Sequence, residues 1–117
     1  MTNVPEKPNA KGKLYASVQS ALEGISDGAS VLVAGYAGRG VPETLLRGLA
    51  EIGVGDLTLV CQGAWAQEPG KFGISDLVAT GQVKKMVSPL PFHPEYGGPV
   101  KDLWESGELE LEVVLQG

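Results

Sequence analysis

The chain has one cysteine, Cys61, and one histidine, His93, among 117 residues. A lone cysteine leaves no internal disulfide and no cysteine-based metal site. Basic residues are scarce: 9 Lys and Arg against 14 Asp and Glu give a net charge of −5. A nucleic-acid binder needs a basic face to neutralise phosphates, so this balance argues against that class. No apolar run approaches the length of a membrane-crossing helix. The polar stretch Met1–Lys13 lacks the apolar core of a secretory signal and reads as a flexible lead-in. A cytoplasmic location is the expectation. Two phosphate-binding signatures are missing as well. Gly35, Gly38 and Gly40 run G-x-x-G-x-G rather than G-x-G-x-x-G, and no Gly-Lys-Ser/Thr follows them.

Glycine and proline are abundant, at 17 and 8 residues. They fall between periodic segments, the pattern of a chain with many short elements. The spacing predicts one α/β domain over residues 14–117. Helices are expected at Leu14–Ile25, Pro42–Ile52, Ser75–Thr80 and Val100–Ser106, and strands at Ser30–Gly35, Leu57–Cys61, Val83–Val87 and Leu109–Leu115. Ser30–Gly35 is almost continuously apolar, as in a strand covered on both faces. In the last strand Leu109, Leu111, Val113 and Leu115 alternate with glutamates, which suits a half-exposed strand. Helices alternating with short apolar strands give a mainly parallel sheet with flanking helices. Ligands of such sheets bind at the carboxyl ends of the strands, near a topological switch.

The segment Val31–Glu43 is the most informative. An apolar strand ends in three glycines, and Pro42 then opens an amphipathic helix. Glycine lets a ligand approach the backbone, and a helix start offers unpaired N–H groups to a polar or anionic partner. A turn that needs glycine for geometry alone is the plainer alternative.

These residues resemble a known family. Ala34–Glu43 is similar to the G-G-F-G-x-x-G-x-P-E turn in the alpha subunits of the family I coenzyme A transferases. Asp56–Val60 resembles the D-L-T-x-V strand of that family, and Gln82–Ser88 resembles Q-[IV]-K-[KR]-M-[IV]-S. Ser106–Glu112 resembles S-G-E-L-E-[VL]-E, and Leu115-Gln116-Gly117 resembles P-Q-G. The similarity runs from Lys13 to Gly117 and matches about the N-terminal half of an alpha subunit. Where the family has S-N-N, this chain has Cys61-Gln62-Gly63.

The resemblance implies transfer of CoA from an acyl-CoA to a free carboxylate. A glutamate attacks the thioester, and amide donors stabilise the oxyanion. Coenzyme A is then a substrate, with no permanently bound cofactor and no metal. The family's nucleophile lies in the other half of the enzyme, in an E-N-G-like motif that this sequence does not contain. The resemblance therefore implies a half-site that depends on a partner chain and an oligomer. Gln116 and Gln62 are the candidate catalytic amides. Gly35, Gly38, Arg39, Gly40, Gly63 and Trp65 are the candidate substrate contacts. Arg39 could meet a carboxylate or a CoA phosphate, and Trp65 could wall an acyl pocket. Cys61 reads as a small buried hydrophobe rather than a nucleophile, and His93, between Phe92 and Pro94, as structural or exposed. An acyl-CoA hydrolase or decarboxylase component and a non-catalytic binding module are the alternatives.

Overall fold

The four apolar runs pair side by side in chain order. The computed structural model describes residues 14–116; the expected lead-in Met1–Lys13 and the last glycine lie outside them. Its elements are α1 (Val18–Leu22), β1 (Ser30–Val33), α2 (Glu43–Ile52), β2 (Leu57–Cys61), α3 (Ile74–Ala79), β3 (Val83–Ser88), α4 (Pro99–Glu105) and β4 (Glu110–Val113). The sheet order is β1-β2-β3-β4, and every pairing is parallel. This is the α/β fold with flanking helices that the sequence predicts.

Sequential order has a geometric consequence. Right-handed crossovers between neighbouring parallel strands place each connecting helix on the same side. α2, α3 and α4 therefore cover one face of the sheet. Leu57, Leu59 and Cys61 of β2 and Met86 and Ser88 of β3 are buried beneath them, whereas Thr58, Val60, Lys85 and Val87 on the alternate positions are not. The core is built from Leu46 and Leu49 of α2, Leu77 and Val78 of α3, Val100 of α4 and the inward strand residues. Burial of each such aliphatic side chain stabilises the fold by about 1.5–3 kcal/mol.

Four expectations need correction. Covering on both faces does not extend to β1: Leu32 is 78% exposed, because the face opposite the helices carries no layer among the described residues. The order contains no reversal, so these strands have no topological switch point. The first helix is Val18–Leu22 rather than Leu14–Ile25, because Ser17 caps it, its side chain accepting from Ser20 N–H. Finally, Leu45 and Ile52 sit at the margin of the buried stripe of α2 and are 41% and 38% exposed. α1 packs on α2 so closely that a Cβ at Gly48 would collide with Val18 Cγ1.

Candidate active site at the strand ends

After β1 the chain enters a tight turn. Tyr36 N–H donates to Arg39 O at 2.8 Å, and Arg39 N–H returns to Tyr36 O at 2.9 Å. Both central residues have positive φ, Ala37 at 54° and Gly38 at 81°, the signature of a type I′ turn. Gly38 is also hemmed in, since a Cβ there would lie 3.0 Å from Gln67 Cα and Glu68 N. Ala37 has no such freedom, and a left-handed alanine costs about 1 kcal/mol. Ala37→Gly is therefore expected to raise unfolding stability by about 0.5–1 kcal/mol in urea denaturation, and a loss of stability would contradict the turn assignment.

The turn is tied to the end of β2. Gln62 Oε1 accepts from Ala37 N–H at 3.4 Å and from Trp65 Nε1 at 2.6 Å. Two N–H donors converging on one end of the amide fix that end as the oxygen. Nε2, at the other end, is buried without a partner. The Trp65 ring meets Tyr36 edge-on, with centroids 6.1 Å apart.

Two cavities flank this arrangement. The larger, about 550 Å³, lies where the four strands end. Leu32, Val60, Val87 and Val114 supply apolar walls, and Gln62 and Gln116 supply amides. The smaller, about 140 Å³, lies between the glycine turn and the 62–73 loop, lined in part by Gly38, Gly40, Glu43, Gly63 and Lys71. Glu43 pins that loop to the start of α2, accepting from Phe72 N–H at 2.7 Å and from Arg47 Nη2 at 3.1 Å. The Phe72 N–H, with help from Arg47 and Lys71, holds the Glu43 carboxyl below its usual range. Burial pushes the Cys61 thiol up to about 11, so it stays protonated and unreactive at neutral pH. Beyond the large cavity, Lys85 lies 2.9 Å from Glu112 and 3.6 Å from Glu110 on the open face, and these carboxylates raise its pKa.

Comparison with known proteins places the chain in a family. The coenzyme A transferase family model matches residues 15–117. The chain belongs to the coenzyme A transferase family. It is 37% identical over 105 residues to a subunit of the 3-oxoadipate CoA-transferase of Pseudomonas putida, covering 90% of this chain and 44% of that one. Over 112 residues it is 36% identical to a subunit of the succinyl-CoA:3-ketoacid coenzyme A transferase of Xanthomonas campestris, covering 92% of this chain and 43% of that one. A mitochondrial succinyl-CoA:3-ketoacid coenzyme A transferase of Homo sapiens is 33% identical over 113 residues, which is 20% of its length. The chain thus spans less than half the length of each of these relatives.

Within this member of the family the candidate residues divide between the two cavities. Gln62 and Gln116 line the larger, while Gly38, Gly40 and Gly63 line the smaller. Gly35 (φ 130°) admits the turn against Val41, since a Cβ would lie 2.6 Å from Val41 Cγ2. Arg39 closes the turn through its backbone, and the residue is exposed. Trp65 bonds to Gln62 and is absent from the residues lining either cavity. His93 Nδ1 accepts from Glu95 and Tyr96 N–H at 3.1 and 3.4 Å, which commits it to closing its own loop. Sequence reasoning missed Gln82. Its Nε2 donates to Leu49 O at 3.0 Å and Val54 O at 2.8 Å, stitching the end of α2 to the start of β3. Its place at the head of the Q-V-K-K-M-V-S segment was the available signal.

Proposed function

We propose that this chain forms the amide-bearing half of an acyl-CoA site, as a component like the alpha subunit of a CoA-transferase. A partner chain supplies the nucleophilic glutamate. The observation that carries the reading is the cavity at the strand ends, with apolar walls and two glutamine side chains. Close by, Gln62 Nε2 is buried without an acceptor among the described residues. An acyl thioester fits that chemistry. Its hydrocarbon lies against the aliphatic walls and its carbonyl oxygen takes the free amide donor. When glutamate adds to the thioester carbonyl, negative charge builds on that oxygen, and donors already in place stabilise it.

The carboxylates of the described residues do not supply the nucleophile. None lines the large cavity. Glu43, in the small one, is occupied by the Phe72 N–H and Arg47. The partner packs on the open sheet face and closes over the cavity that Leu32 and Val60 wall. The relatives' names point to succinyl-CoA as CoA donor and a 3-oxo acid as acceptor.

The test is turnover. Purified chain incubated with succinyl-CoA and 3-oxo acids is expected to transfer no CoA. Adding the chain that co-purifies with it restores transfer if that chain carries an E-N-G-like glutamate. CoA transfer by the isolated chain would overturn the half-site reading.

A further inference from the structure

The Gln62 amide can serve a substrate only if it faces one way. Free rotation about the last side-chain torsion would present oxygen or nitrogen alternately to the cavity. Two donors remove that choice: the Ala37 N–H at 3.4 Å and the indole N–H of Trp65 at 2.6 Å, both on Oε1. The first is long and weak, whereas the second is short. The indole therefore dominates the orientation. Trp65 is itself partly buried, braced by Tyr36 of the glycine turn.

We propose that Trp65 is a positioning residue: it holds Gln62 Oε1 so that Nε2–H₂ is presented as a hydrogen-bond donor to an acyl or carboxylate oxygen in the strand-end cavity. This rests on the reading of that cavity as an acyl-CoA site. It adds a separate element, a tryptophan that selects for an oxygen-bearing ligand without touching it. Nε2 is buried and unpaired, so no water occupies it, and a ligand carbonyl that displaces its cover gains that bond. A ligand without an acceptor at that point leaves the donor orphaned and binds more weakly.

The full chain, labelled with nitrogen-15, reports this through the Gln62 side-chain amide signals. Acetyl-CoA is expected to shift them. Trp65→Phe keeps an aromatic ring but removes the donor, and should weaken the acetyl-CoA response about tenfold, the worth of one hydrogen bond. Trp65→His, which keeps a ring N–H, should recover part of the loss. In the Gln62→Leu background, where backbone amide shifts at the strand ends replace the missing side-chain signal, Trp65→Phe should leave the acetyl-CoA affinity unchanged. Should Trp65→Phe unfold, benzothienylalanine at position 65 in a Trp104→Phe background replaces the N–H by sulfur at nearly constant shape. If acetyl-CoA shifts the wild-type amide and loss of the indole N–H leaves affinity unchanged, Trp65 has no positioning role and the acyl-CoA site stands. If acetyl-CoA at millimolar concentration leaves the wild-type amide unmoved, both the site reading and the positioning role fall.

Discussion

Gly63→Ala is expected to lower unfolding stability by about 3 kcal/mol or more, and the melting midpoint by about 10 °C or more. Gly63 has φ 132°, a region closed to residues with a Cβ. An added Cβ would also run into the backbone carbonyl of Leu90 and stand 2.6 Å from Ser88 Oγ. Those neighbours cannot yield easily. Ser88 Oγ donates to Gln62 O at 2.9 Å and accepts from Leu90 N–H at 3.1 Å, and Ala64 N–H donates to Pro91 O at 3.1 Å. The clash is with fixed main chain rather than with a flexible side chain, so it must separate the segments that follow β2 and β3. Thermal and urea unfolding measure this. An unchanged midpoint would show that the two segments are not packed as described.

Gln62→Leu is expected to lower kcat by about 10²-fold in the assembled enzyme, with a much smaller change in KM. The substitution keeps a side chain of similar size and removes the amide, so apolar binding survives while the oxyanion loses a donor and the Ala37 and Trp65 N–H groups lose their acceptor. Gln116→Ala should show a loss of the same order if that amide also meets the developing charge. Steady-state kinetics with succinyl-CoA separate the outcomes. Equal kcat in wild type and Gln62→Leu would remove Gln62 from the chemistry. A rise in KM alone would make it a binding contact.

Much of the architecture is legible in the chain. Short runs such as Leu57–Cys61 between helical periods fix the number of strands and their parallel sense, because a parallel partner needs a crossover of the length the helices provide. What periodicity does not encode is what lies beyond the strand. Val31-Leu32-Val33 reads as doubly buried, yet Leu32 faces outward, because hydrophobicity records that a face is apolar and not which molecule covers it. The start of α1 escapes the pattern for a local reason: Ser17 competes for Ser20 N–H and caps the helix after Tyr15. The candidate site is legible as residue types at strand ends. The pairing of Gln62 with Trp65 and Ala37 is not, since it depends on side-chain torsions and on a left-handed alanine that no spacing rule reveals.

The strict chain order of the strands also shapes how the molecule is made. Leu32 pairs with Val60, Val60 with Val87, and Val87 with Glu112. Each pairing closes a loop of fewer than 30 residues, and none waits for a distant segment. Contact order stays low for a parallel sheet, a class that otherwise folds slowly. On a ribosome, β2, β3 and β4 each find a neighbour already synthesised, so these strands can add to β1 one βα unit at a time.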